Sequence, residues 1–167
     1  LTTPGAIGSP QTFCNSGDPA SFTNTTSPSG GTGGSIQYVW QKSTNNSTWS
    51  TISGATSSTY NAPTVTATTY YRRGAKRSVC GSYTYTSSVK VTVNKQLTTP
   101  GAIGSPQIFC NSGNPAAFTN ATSPSGGTGA YTYFWSTTPT QIGQTAVNLT
   151  AGTYTVTVVD ANNCTVT

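Results

Sequence analysis

Residues 36–43 read IQYVWQKS and residues 131–135 read YTYFW. Ile36, Tyr38 and Trp40 recur at every second position in the first stretch, as Tyr131, Tyr133 and Trp135 do in the second. A period of two belongs to a strand, whose successive side chains point to opposite faces, so each stretch turns one apolar face toward a core. Outward from these stretches the pattern repeats: Tyr154, Val156 and Val158 alternate with Thr153, Thr155 and Thr157. Turns rich in Gly, Pro, Asn and Ser separate the runs at short intervals, and no helical period interrupts them. The expectation is an all-β chain built of antiparallel sandwiches of Greek-key type.

Threonine and serine supply 56 of the 167 residues, with 18 Gly and 10 Pro beside them. Disorder is the first alternative for such a composition. Nine Tyr, five Phe and three Trp, together with the alternation, decide for pleated, half-buried strands. The net charge is +5, and the chain contains no His, Glu or Met, so Asp18 and Asp160 are its only acidic side chains. Acid–base catalysis by paired carboxylates or an imidazole, and a Ser-His-Asp site, cannot be assembled from this set. Two isolated aspartates do not make a calcium or magnesium cage either, so no enzyme activity, metal or cofactor is expected. No apolar run approaches the roughly 18 residues a membrane helix needs, so no membrane insertion is expected. No charged-then-apolar leader opens the chain, which reads as a soluble piece that does not begin at an original N-terminus.

The domain organisation follows from a duplication. LTTPGAIGSPQTFCNSGDPASFTNTTSPSGGTGG at 1–34 recurs at 97–130 with five differences in 34 positions. A direct copy 96 residues on starts the same structural unit twice, which gives tandem domains at 1–96 and 97–167. Beyond the copy the units diverge, but YVW at 38–40 answers YFW at 133–135, and TATTYYRR at 66–73 answers TAGTYTVT at 150–157. Each unit holds one cysteine near its start and one near its end, Cys14 with Cys80 and Cys110 with Cys164. Four cysteines allow three pairings, and because Cys14 and Cys110 are copies, closure within each unit is favoured. Such loops would stabilise a domain by roughly 4 kcal/mol and imply an oxidising, extracytoplasmic setting. Free buried thiols and an all-cysteine zinc site carry less weight, since zinc ligands come in close pairs and these cysteines are isolated.

The stretch GGTGAYTYFWSTTPTQIGQTAVNLTAGTYTVTVVDANNCTVT resembles the SprB repeat of giant surface adhesins of gliding Bacteroidetes. The pattern is an aromatic Tyr-x-Trp strand, a Leu-x-x-Gly-x-Tyr corner and a closing Asp-x-x-x-Cys, here Tyr133, Trp135, Leu149, Gly152, Tyr154, Asp160 and Cys164. The first unit, with PGAIG, YVWQKS, ISGAT, TTYYRR and CG, resembles Ig-like modules of the same kind of surface protein. The resemblance implies two tandem Ig-like antiparallel β-sandwich domains, each with one intradomain disulfide at its end rather than through its centre. It also implies type IX secretion and display on the bacterial cell surface, outside the outer membrane. The pair would be links in a filament moved during gliding and surface attachment, with neighbouring repeats of the same long chain as partners. It supplies no catalytic residues. The second unit stops three residues after Cys164, whereas the first runs on to a final strand ending at Val93, so a missing last strand and an open edge are expected.

Two features are candidates for binding. RRGAKR places Arg72, Arg73, Lys76 and Arg77 at the end of one strand and in the turn after it, where a surface polysaccharide or other anionic polymer would be attracted. A solvated basic turn is the plainer reading. Strand parity also requires one of the two adjacent arginines to face the core side, its stem packed on Trp40 or a tyrosine. Trp49, alone in NNSTWSTI, offers a flat ring to a sugar, against the plainer reading that it covers a sheet edge. Nucleic acid is not an expected partner, because no stacking platform or recognition helix is evident. GGTGG at 30–34 and GGTGA at 126–130 lack the Lys-Ser/Thr of a phosphate loop and read as hairpin turns. The leading expectation is therefore a structural and adhesive repeat region. The alternative is a carbohydrate-binding accessory region of a secreted polysaccharide-degrading enzyme.

Overall fold

The computed structural model describes residues 1–104 and 106–167. It is all-β and divides into two compact units, Leu1–Val93 and Asn94–Thr167.

In the first unit the strands are β1 (Ala6–Ile7), β2 (Gln11–Cys14), β3 (Asn24–Thr26), β4 (Ile36–Ser43), β5 (Ser50–Thr51), β6 (Thr69–Arg77), β7 (Thr84–Tyr85) and β8 (Val89–Asn94). The main sheet has the order β2-β8-β6-β4-β5, with β7 also paired to β6. Its spine is the antiparallel pairing of β4 with β6, unbroken from Ile36 opposite Arg77 to Ser43 opposite Tyr70. β1 and β3 form a separate antiparallel ribbon. The core lies between ribbon and sheet, where Ile7, Phe22, Trp40, Ala62, Val65, Tyr71, Val89 and Val91 are buried. Four rings form its centre: Phe22 lies 5.0 Å from Tyr71 and 6.0 Å from Trp40, and Tyr60 lies 5.5 Å from Trp40. Each such pair contributes about 1 kcal/mol beyond the area it buries. The indole N–H of Trp40 donates to the Ser57 carbonyl at 2.9 Å, so the polar atom of the largest core side chain is satisfied.

The second unit carries β9 (Leu97–Thr99), β10 (Ala102–Ile103), β11 (Phe118–Thr122), β12 (Ser125–Gly126), β13 (Thr132–Trp135), β14 (Thr145–Ala146), β15 (Val156–Val159) and β16 (Thr165–Val166). These form the sheets β13-β15-β16, β10-β11-β14 and β9-β12. Tyr133 and Trp135 are buried and Phe134 between them is exposed, as the alternation requires. The indole of Trp135 donates to the Gly143 carbonyl at 2.9 Å. Tyr154 packs against Phe118 and donates its hydroxyl to the Thr150 carbonyl at 2.8 Å, which fixes the Leu149-x-x-Gly152-x-Tyr154 corner.

The copied glycine loops have one backbone shape and two opposite solutions for holding it. Gly30, Gly31 and Gly33 have φ of 81°, 67° and 80°, and Gly126, Gly127 and Gly129 have 79°, 65° and 73°, a left-handed region that glycine enters without strain. In the first unit the Arg77 guanidinium donates to the carbonyls of Gly30, Gly31 and Gly34. In the second, the buried Asp160 carboxylate accepts the Thr128 N–H, and also those of Asn162 and Cys164, each at 2.9 Å. Burial pushes the Asp160 pKa up, but these three backbone N–H bonds push it down further, and the net shift is below the ordinary aspartate value.

Two expectations are corrected. The expected disulfides, Cys14 to Cys80 and Cys110 to Cys164, are not formed: Cys14 and Cys164 are disulfide-bonded, while Cys80 and Cys110 are exposed free thiols. The sheet gives the reason for the first pair. β2 stands beside β8, β8 pairs with the opening residues of β6, and Gly17 bridges to Val65, so Cys14 belongs to the end where β6 begins. Cys80 follows the other end, its N–H bonded to the Arg77 carbonyl. At about 3.3 Å per residue β6 separates those ends by roughly 26 Å, against the about 7 Å between Cα atoms that a disulfide spans. In the second unit Cys164 is buried, fastened through its N–H to Asp160, whereas Cys110 stands on an exposed segment outside any strand. The second correction concerns RRGAKR, which is not a strand end and turn: it lies wholly within β6, because every residue from Arg72 to Arg77 has a partner on β4.

Alkylation of the native, unreduced chain is expected to modify Cys80 and Cys110 and to spare Cys14 and Cys164. Recovery of a Cys14–Cys80 peptide by non-reducing mapping would contradict this. Because the folded pKa of Asp160 is depressed, its contribution is complete above the ordinary aspartate pKa and is lost as pH falls from there through the folded value. Asp160→Asn should therefore lower the melting temperature of the second unit by several degrees at neutral pH, with the gap from wild type closing in acid. A gap independent of pH would show that the carboxylate charge is not what holds the loop.

Candidate functional site

The β4–β6 register sorts the basic residues onto two faces. Arg73 stands opposite Trp40 and Arg77 opposite Ile36, on the core side, whereas Arg72 stands opposite Gln41 and Lys76 opposite Gln37, on the outer side. Arg73 is fully buried. Its guanidinium donates to Asn24 Oδ1, to the Ser58 carbonyl at 2.9 Å and to the Pro4 carbonyl at 3.0 Å, and it lies 5.0 Å from the centre of the Tyr38 ring. Burial lowers its pKa, and Tyr38 opposes that shift. Among the described residues no carboxylate takes part. The cation is held by neutral oxygens and a ring, and it ties the segment before β1, β3 and the loop after β5 to the sheet. Arg77 is likewise committed, to the glycine loop.

The outer face is a ladder of cations and rings. The Arg72 guanidinium is clamped between two aromatic faces, its Cζ 4.2 Å from the centre of the Trp49 ring and 4.2 Å from that of Tyr85. Its edge is fixed by donation from Nε and Nη2 to Gln41 Oε1 at 2.9 and 2.7 Å. Lys76 Nζ lies 4.8 Å over the Tyr83 ring, and Tyr83 and Tyr85 are 6.4 Å apart. Further along the sheet, Lys90 Nζ lies 6.0 Å over Tyr70, its partner across β6 and β8. Gly74 makes room for this packing: a Cβ there would come within 2.8 Å of both the Tyr85 ring and Val39.

Of the five sequence candidates, the structure thus brings together Trp49, Arg72 and Lys76 and directs Arg73 and Arg77 into structural work. Trp49 lies on the outer face over Arg72. Tyr70, Tyr83, Tyr85, Lys90 and Gln41 were not singled out from sequence. The Tyr-Thr-Tyr alternation at 83–85 carried a signal for two of them, because it puts both rings on one face of a strand. The assembled surface presents the rings of Trp49, Tyr83 and Tyr85 beside Arg72 and Lys76. Its chemistry is flat π-faces beside fixed positive charge, suited to stacking on rings and to attracting anions.

Residues 3–95 match the family model described as a domain of unknown function, DUF8696. No curated protein matches the chain.

The two adjacent arginines should respond differently to truncation. Arg73→Ala empties a fully buried site and removes the bonds to the Pro4 and Ser58 carbonyls and to Asn24, and is expected to cost the first unit about 3 kcal/mol in denaturant unfolding. Arg72→Ala, on the solvent side, should cost about 1 kcal/mol. Arg73→Lys should not restore stability, because one ammonium cannot span three acceptors in the plane of a guanidinium. Equal losses for the two alanine variants would refute this division of roles.

Proposed function

The chain belongs to the DUF8696 family, and we propose that it is a non-catalytic pair of tandem Ig-like β-sandwich repeats from a bacterial cell-surface adhesin filament used in gliding and attachment. One observation carries the reading: the duplicated sequence is duplicated in geometry. In the first unit Ala6 pairs with Thr26 and Ile7 with Asn24, across a bulge; in the second, Ala102 pairs with Thr122 and Ile103 with Asn120, across the same bulge. The Thr3–Ser29 pairing recurs as Thr99–Ser125. A module laid down twice in series produces length and repetition, the properties a shaft needs, and neighbouring repeats of the same chain are its natural partners. The Tyr154 corner and the paired tryptophan cores support the Ig-like assignment.

On this reading the filament is extracellular, and the outer face of the first unit, with Trp49, Arg72, Tyr85, Tyr83 and Lys76, is where it touches an acidic surface polysaccharide. Residues 97–167 contain no Lys or Arg, so the attraction is confined to the residues up to Lys95. The aromatic strip also supports the second reading, an accessory carbohydrate-binding region of a secreted enzyme, and the two readings differ in the polymer bound. Binding of the full chain to a sulfated polysaccharide should weaken as salt rises, since exposed charges are screened beyond roughly 8 Å at physiological ionic strength. The double variant Arg72→Ser, Lys76→Ser should weaken it about tenfold at low salt. Salt-independent binding to a neutral glycan would favour the accessory region. No affinity for either polymer at low salt would leave the pair as spacers and remove the adhesive role.

A further inference from the structure

Residues 11–14, QTFC, and 107–110, QIFC, are copies, and their local settings are copied with them. Gln11 donates Nε2 to the Ala20 carbonyl at 3.1 Å and accepts the Ala20 N–H at 2.8 Å; Gln107 does the same with Ala116 at 3.0 and 2.7 Å. The Phe13 ring lies so close over Gly17, and the Phe109 ring over Gly113, that a Cβ on either glycine would run into the ring. The first copy is strand β2, seated beside β8, with Phe13 packed against the core. The second copy has the same clasp and the same ring stacking, but it joins no ladder among the described residues. Ile108 is 92% exposed and Phe109 42% exposed.

We propose that Gln107–Cys110 is a preformed acceptor strand, built to be joined along its backbone by an extended polypeptide with the alternating pattern of β8. The chemistry of that partner is set by the strand that occupies the same place in the first unit. In VKVTV, Val89 and Val91 are buried and Val93 packs against the core, while Lys90 faces solvent. The partner is thus a β-branched aliphatic residue at every second position, with Lys or Thr between. Main-chain hydrogen bonds supply the affinity and the alternate side chains the specificity. The composition of the acceptor agrees: Ile108 replaces Thr12, which raises strand propensity and apolar area, and no charged residue in the segment blunts the edge. This inference stands apart from the adhesive reading, since it uses the second unit and needs no polysaccharide.

The test is amide hydrogen exchange of the full chain with and without a synthetic peptide of residues 87–95, SSVKVTVNK. The expected result is slowed exchange confined to 107–110. The protection should be lost when alternate peptide amides are N-methylated, because one hydrogen-bonding edge is then removed. Ile108→Asp should weaken binding about tenfold, whereas Thr12→Asp, at the exposed counterpart in β2, should leave it unchanged. Tryptophan emission from Trp40 and Trp135 should match wild type in both variants, showing that the cores are intact. Absence of protection at millimolar peptide would overturn the proposal. So would protection that appears without peptide as protein concentration rises, which would make a second copy the occupant. Protection changes at 11–14 instead, from exchange of β2, would overturn it as well.

Discussion

The long antiparallel pairing of β4 with β6 is the constraint from which the first unit follows. Because its register is unbroken from Ile36–Arg77 to Ser43–Tyr70, each side chain on both strands is assigned to one face with no freedom to change. Trp40 and Tyr71 are thereby delivered to the core, and Arg73, opposite Trp40, must enter it with them. A slip of one residue would bury Arg72 and Gln41 and expose the tryptophan. The neutral cradle around Arg73 is the adjustment that makes this register tolerable: its two terminal nitrogens reach Asn24, Ser58 and Pro4, while its Nε is buried with no hydrogen-bond partner among the described residues, and a buried charge is costly where its donors are not met. The outer ladder is the same register seen from the other side, with Arg72 and Lys76 half-buried against the rings of Trp49, Tyr85 and Tyr83.

The two units show how much of a loop belongs to its backbone. Both glycine loops take the same left-handed dihedrals, yet one is held by a cation reaching carbonyls and the other by an anion reaching N–H groups. The peptide chain offers donors and acceptors alike, so either sign of charge can satisfy a loop if it arrives from the correct side. Arg77 closes β6 in the first unit, and Asp160 follows β15 directly in the second. Arg73, Arg77 and Asp160 are each placed where backbone groups converge, whereas Arg72 and Lys76 lie against aromatic rings on the outer face of the sheet.

The alternation in IQYVWQKS and YTYFW was enough to establish strands, their faces and the tryptophan cores, because a period of two is a property of the chain itself. The 96-residue copy carries the same bulge and the same left-handed glycine dihedrals into both units, because these are set by residues close together in sequence. Parity alone also required one arginine of the Arg72–Arg73 pair to turn inward. Which one did so, and what received it, depended on pairing with β4 and on carbonyls from Pro4 and Ser58, far away in sequence. The cysteines were legible only as a set of pairings. Their separations along the chain say nothing of the length of β6 between Cys14 and Cys80, and it is that length which keeps them apart. The same holds for QTFC and QIFC: one sequence is a strand and its near copy is not, since a strand is defined by a hydrogen-bonded neighbour, and a neighbour is supplied by tertiary structure rather than by the residues that need it.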